Sequence, residues 1–274
     1  MRRTIQGKQA GLTLIELMIV LVLSSIVTAA IFATFISQQK SYATQTKVSD
    51  MQQNARASLT LMERDLRITG FCVGDAGFTV QTFAGNNVTS AITIVDNASP
   101  TPDQITVVYA AQQISTVSAV SDTNVTLASV TGLGITNGRQ YIAFETVRAV
   151  YTIQAINGNV LTLNSAPPAH LADIVNTGGV VGARAYLVRA ITYQVDSARN
   201  TLERVASDQI NTAPDADDLW DDVGNYITNL QIVWPFNGDN NLVQVTITGQ
   251  DTDSDGTTRI RQHQAVISVR NNGL

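Results

Sequence analysis

The sequence predicts an α+β fold, in which a long N-terminal α-helix, apolar in its first half and amphipathic in its second, packs on a C-terminal antiparallel β-sheet head. Three observations carry this expectation. Residues 12–36 form an apolar run with a single formal charge, Glu16. Residues 37–69 hold neither Pro nor Gly and repeat apolar side chains at helical spacing. From about residue 78 the pattern changes to short alternating runs rich in Thr and Val, separated by turn residues.

The apolar run comes first in the chain. At 1.5 Å per residue it reaches about 37 Å, enough to cross a hydrocarbon layer of roughly 30 Å. Arg2, Arg3 and Lys8 lie just before it, whereas Lys40 and Lys47 follow more sparsely. That bias places the N-terminus in the cytoplasm and the body outside. An ordinary secretory signal has a shorter apolar core and a small-residue cleavage site. Here "TAAIFATF" offers only a weak site near Ala30 to Ala33, and the helical pattern runs through it. Glu16 is the anomaly. A carboxylate in hydrocarbon costs at least a few kcal/mol, so its presence calls for a partner.

The second half of the helix has its own signature. Val48, Met51, Ala55, Leu59, Met62 and Leu66 recur at steps of three and four, a stripe that must be buried on something. Glu63 and Arg67 are spaced i,i+4 on the outer side, and Gly70 is a suitable stop. One helix from about 13 to 69 would be roughly 85 Å long.

These residues carry a resemblance. A short basic leader ending in Gly11, then Leu-Thr-Leu-Ile-Glu-Leu and an apolar helix, resembles the class III signal of type IV pilins and pseudopilins. The resemblance implies cleavage after Gly11 by a membrane-embedded prepilin peptidase and N-methylation of the new first residue, Leu12. It also implies assembly, through N-terminal helices, with major and minor pilins on an inner-membrane platform. Most members have Phe where this chain has Leu12. The freed amine of Leu12 then lies one turn from Glu16, at i+4, so the carboxylate gains a partner in its own chain or in a neighbour. On this reading Glu16 serves filament assembly; the plain alternative is a Glu16 that snorkels or is protonated in a simple anchor.

The segment "RDLRITGFCVGD" (Arg64 to Asp75) is similar to the stretch that ends this helix in PilW-type minor pilins, and the ending "AVISVRNNGL" resembles the terminal strand of PilW-type pilins and J-type pseudopilins. Major pilins tend to carry a helix-softening Gly or Pro inside the membrane run; this chain has Ser24 and Ser25 there and neither breaker. The resemblance therefore implies a minor type IV pilin acting in pilus assembly and priming. A J-type pseudopilin of a type II secretion system shares the same N-terminus and head plan. A third reading makes the head an adhesin or DNA-binding surface displayed on the filament. The domain plan is a leader at 1–11, a membrane and filament-core helix at 12–36, its amphipathic half at 37–70, and a periplasmic, then surface-exposed, β-rich head at 71–274 with an inserted β subdomain at about 80–180.

Within the head, "VYTIQAINGNVLTL" sets Asn157-Gly158 between two alternating segments, a hairpin signal. Strands at about 188–195 and 201–205 flank a polar turn, and "YITNLQIVWPF", "NLVQVTITG" and "IRQHQAVISV" read as a closing antiparallel sheet. The stretches 95–104, 164–180 and 211–225 read as loops.

Composition narrows the chemistry. Seventeen Lys and Arg against 22 Asp and Glu give −5, and −8 once Arg2, Arg3 and Lys8 leave with a leader. That balance argues against a broad nucleic-acid surface, although a small basic patch stays compatible. Cys72 is the only cysteine, so no intrachain disulfide forms, unlike the paired cysteine usual in PilW-type chains. With His170 and His263 far apart, a His/Cys zinc cluster is nearly excluded. No nucleophile elbow, zincin helix or phosphate loop is present, so the reading is non-enzymatic. Asp251, Asp253, Asp255 and Gly256 match the first half of an EF-hand loop, but Gln262 stands where the bidentate Glu is required. A solvated hairpin tip and a calcium-stabilised turn both fit. The cluster Asp215, Asp217, Asp218, Asp221 and Asp222 reads as an acidic surface loop anchored by Trp220, or as a hard-cation site.

Overall fold

The computed structural model describes residues 13–74, 76–82, 84–98, 101–130, 140–145, 147–169, 171, 183–207, 221–252 and 256–269. The leader, Leu12, His170, Trp220, Asp253 and Asp255 lie outside the described residues. One helix, α1, runs Leu14–Ile68, and antiparallel β-sheets follow it, an α+β pilin-like architecture. The chain divides into two units, Met1–Ser49 and Asp50–Leu274.

In the first unit every residue from Thr13 to Ala43 is exposed. In the second unit α1 continues with one face turned to the head. Met51, Ala55, Leu59, Met62 and Leu66 are buried at the i,i+3/i+4 spacing, and Ser58 and Asp65 are buried beside them. Glu63 and Arg67 form an i,i+4 ion pair on the outer side, where the last-turn cation also suits the helix dipole. The helix stops at Ile68; Gly70 takes φ +79° and donates its N–H to the Val108 carbonyl at 2.9 Å, which ties the helix end to a strand.

Among the described residues fourteen strands follow: β1 Ala76–Gln81, β2 Asn87–Ser90, β3 Ile92–Val95, β4 Gln104–Ser121, β5 Asn124–Leu127, β6 Tyr141–Phe144, β7 Val150–Asn157, β8 Val160–Leu163, β9 Arg184–Asp196, β10 Thr201–Ala206, β11 Asp221–Asn225, β12 Ile227–Val233, β13 Leu242–Thr252 and β14 Thr258–Ser268. Two long strands organise them. The first two thirds of β4 pair with β9 along Ile105↔Tyr193 to Thr116↔Arg184, and its last residues pair with β5. Since β5 pairs with β8, β8 with β7, β7 with β6 and β6 with β9, the ladder returns to β4 and closes a ring of six antiparallel strands. Bulges between Ala110 and Gln112 and between Gln113 and Ser115 bend β4 where it leaves the open sheet for the ring. Closure removes free edges, and Val117, Val125, Leu127, Ile142, Phe144, Ile153, Leu161 and Leu163 form its apolar filling.

The other ends of the long strands build an open sheet, β3–β4–β9–β10–β11, and β12–β13–β14 form a separate three-stranded sheet. The buried face of α1 packs between them, with Ile105, Val107, Ile191, Tyr193 and Leu202 on one side and Leu230, Val243, Val245 and Ile247 on the other. Asp103 clamps the sheets together: its carboxylate accepts the Asn97 and Ile232 N–H groups at 3.0 and 2.7 Å. The β1–β2 hairpin covers a third apolar cluster that includes Cys72.

Two sequence expectations need correction. The hairpin turn between β7 and β8 is centred on Gly158-Asn159, with Asn157 paired to Val160, so the turn sits one residue later than Asn157-Gly158. Positive φ falls on Gly158 (+59°) alone, the pattern of a turn with Gly at its first central position. The acidic stretch 211–225 is not loop throughout, because Asp221–Asn225 form β11 at the edge of the open sheet.

β11 also shows how closely the helix approaches. A Cβ on Gly224 would lie 2.2 Å from Ser58 Oγ and 2.5 Å from Ile227 Cδ1, while Ser58 is held by its bond to the Val223 carbonyl at 3.0 Å. Gly224→Ala is expected to cost about 1–3 kcal/mol of head stability by overpacking, read as a lower denaturant midpoint, and Ser58→Ala in the same chain is expected to recover part of it.

Candidate assembly site

The exposed N-terminal segment starts from a cap. Thr13 precedes the first helical residue, and its Oγ1 accepts the Glu16 N–H at 3.3 Å, while its carbonyl accepts the Leu17 N–H at 3.2 Å. Glu16 is thus the third residue of the helix, where a carboxylate meets unsatisfied N–H groups and the positive end of the dipole. Thr-x-x-Glu is the spacing of a capping box, a signal the sequence reading overlooked because the charge in an apolar run dominated it.

Beyond Glu16 the surface is apolar on all sides. Leu14, Ile15, Leu17, Met18 and Ile19 are between 54% and 77% exposed, and Val20 to Ile36 continue the same pattern. The hydroxyls within it are satisfied inside the helix: Ser24 donates to the Leu21 carbonyl, Ser25 to Val22, Thr28 to Ser24 and Thr34 to Ala30, at 2.7–3.0 Å. With those bonds made, four hydroxyls enter an apolar environment at little cost. The helix is long and apolar enough to cross a membrane.

A second cluster anchors the amphipathic part to the head. Asp65, fully buried on α1, accepts the Tyr109 hydroxyl at 3.2 Å, the Tyr193 hydroxyl at 2.7 Å and Arg204 Nε at 3.0 Å. Arg204 Nε also reaches the Tyr193 hydroxyl at 3.2 Å. A carboxylate near a helix C-terminus opposes the dipole, and the guanidinium from β10 offsets it. Burial first, then the Asp65 charge, push the Tyr109 phenol up to about 12 and push Tyr193 up as well. A phenol in the unfolded chain titrates near 10, so the folded form holds these protons more tightly. The Tyr109 contribution to stability is complete below about pH 10 and is lost as pH rises through about 12, at about 1.4 kcal/mol per pH unit, and that of Tyr193 falls in the same direction. Thermal melts between pH 9 and 12 are therefore expected to fall steeply, and Tyr109→Phe is expected to flatten that fall.

Cys72 lies in the turn after α1 at φ +61°, buried. Burial, then Glu145, push its thiol up to about 11, which keeps it protonated and unreactive at neutral pH. The calcium candidates do not come together as a visible set. Asp251 belongs to β13, paired in register with Arg259 of β14, and Asp253 and Asp255 lie outside the described residues. Asp222 of the acidic cluster lies 3.5 Å from Arg199. Among the described residues no group of three or more His, Cys, Asp or Glu is placed to hold a metal ion.

The comparisons bear on this first segment. Residues 6–32 match the family model of the prokaryotic N-terminal methylation motif. The N-terminus is a type IV pilin-like prepilin signal. The matched span includes Gly11, Leu12, Glu16 and more than half of the exposed apolar stretch of α1. No curated protein and no solved structure matches the chain. A prepilin signal followed by an exposed apolar helix fits membrane anchoring and association with pilin-type assembly partners.

Proposed function

We propose that the chain is a minor type IV pilin of the PilW type, inserted in the bacterial inner membrane with its N-terminus in the cytoplasm and its head in the periplasm. Prepilin peptidase cleaves after Gly11, Leu12 becomes the methylated first residue, and the mature chain enters a pilus through its N-terminal helix. The plan is a leader at 1–11, a membrane and filament-core helix at 12–36, a second helical half at 37–70 and a head from 71 that carries an inserted β subdomain. The observation that carries the reading is the conjunction of the methylation motif at 6–32 with a capped, wholly exposed apolar helix starting at Leu14. Such a surface is stable only in lipid or against like helices. Glu16 acts in assembly: its carboxylate pairs with the amine of Leu12 on an adjoining subunit and sets the axial register. A run without Gly or Pro supports the minor role.

Mass spectrometry of the mature N-terminus, with and without the peptidase, tests the processing. Methyl-Leu12 as the first residue is the expected result, and cleavage near Ala33 or a retained leader overturns the reading. Deletion of the gene tests the machine: loss of pili supports the pilus assignment, whereas intact pili with lost protein secretion reassign the chain to the J-type pseudopilins.

A further inference from the structure

Three segments meet at one end of the head. The β9–β10 turn brings Arg199 and Asn200, the β11–β12 junction brings Asn225, Tyr226 and Thr228, and the end of β13 brings Gln250, Asp251 and Thr252; together they line a cleft of about 510 Å³. None of these residues belongs to an apolar cluster of the core or to the Asp65 anchor.

The backbone at this corner is both strained and fixed. Asn200 and Tyr226 take φ of +53° and +65°, and for a bulky side chain such as Tyr226 the left-handed region is an outlier of the kind that gathers at binding sites. The Ile227 N–H donates to the Asn200 carbonyl at 2.8 Å, and the Gln250 N–H donates to the Tyr226 carbonyl at 2.8 Å. The three segments are thereby tied to one another, so the wall is formed before any ligand arrives.

The lining selects a ligand class. It offers three carboxamides, two threonine hydroxyls and one phenol, groups that both donate and accept. Among the described residues no side-chain hydrogen bond engages the amides of Asn200, Asn225 or Gln250. Arg199, by contrast, is engaged by acidic side chains: Nε donates to Asp196 at 2.8 Å, Glu203 is bonded to it, and Asp222 lies at 3.5 Å. The charged groups of the lining are one guanidinium, Arg199, faced by three carboxylates, and one carboxylate, Asp251, opposite Arg259 in the strand register. Neither sign is left in excess to hold a charged ligand, and an apolar ligand would leave the polar walls unpaired.

We propose that this cleft binds a neutral carbohydrate, with Asn225, Gln250 and Thr228 hydrogen-bonding its hydroxyls and Tyr226 supplying an aromatic surface. The site belongs to the head alone and does not depend on which machine displays it.

The test uses the full chain in detergent on an array of neutral oligosaccharides spanning hexose, N-acetylhexosamine and deoxyhexose units, with sialylated and sulfated forms and spermine as charged probes. A neutral glycan is expected to bind, its sulfated form to bind less, and Asn225→Ala and Gln250→Leu each to weaken binding about tenfold. Gln250→Trp is expected to abolish it by filling the cleft, with an unchanged circular dichroism melt showing that the head is intact. Absence of neutral-glycan binding, preference for an anionic form or for spermine, or binding indifferent to these three variants in folded protein overturns the proposal.

Discussion

Asp65→Ala is expected to lower the stability of the head by about 3–5 kcal/mol. The reason is the environment left behind. Tyr109, Tyr193 and Arg204 all donate to this one carboxylate, and both tyrosines are buried. Truncation leaves a guanidinium whose side chain is only 16% exposed without its counter-charge and two hydroxyls without an acceptor. For a head of this size, a loss of 3–5 kcal/mol lowers the melting temperature by about 6–20 °C. The pair itself need not be stabilising relative to an apolar core. Asp65→Leu combined with Arg204→Met is therefore expected to recover much of the loss, because no charge stays buried alone. Denaturant titration of the detergent-solubilised chain, followed by tryptophan fluorescence, measures all three states. A loss under about 1 kcal/mol in Asp65→Ala would show that water or a rearranged side chain replaces the carboxylate, and would remove the anchor from the account of how α1 docks.

The reach of sequence reasoning differs among these elements for physical reasons. The stripe Met51, Ala55, Leu59, Met62, Leu66 was legible because burial along one helix repeats every 3.6 residues and needs no knowledge of what covers it. Asp65 lies on the same buried face yet could not be placed, since the three partners that hold it from the strands stand 44, 128 and 139 residues away and only the fold brings them together. The ring of six strands was hidden for the same reason: β4 changes partner from β9 to β5 along its length, and alternation within a strand does not reveal which strand lies beside it. β11 read as loop because its sequence is Asp-Asp-Val-Gly-Asn, poor in strand formers. Among the described residues it is paired on one side only, Asp222 faces Arg199, and Gly224 admits Ser58, so packing overrides propensity. The prepilin signal at 6–32 was the most legible part, since a lone charge in an apolar run is conspicuous in one dimension.

Glu16→Ala is expected to leave cleavage after Gly11 largely intact while reducing incorporation into filaments at least about tenfold. Two roles compete for this residue. At the third helical position its side chain can complete the cap that Thr13 begins, a local role worth about 0.5–2 kcal/mol within one chain. In the proposed assembly it neutralises the terminal amine of a neighbour inside an apolar environment, where two charges a few ångströms apart interact far more strongly than in water. Glu16→Gln separates the roles, because glutamine serves the third position of a capping box equally well and carries no charge. If the cap were the whole of its work, the glutamine chain would enter filaments normally and only alanine would fail. If the ion pair decides, both fail alike. The readout is the ratio of this chain in sheared filaments to that in the inner membrane, with the mature N-terminus checked by mass spectrometry in each variant. Glu16→Asp adds a graded case: it keeps the charge but shortens the reach by one methylene, so its incorporation is expected to fall between the native chain and glutamine.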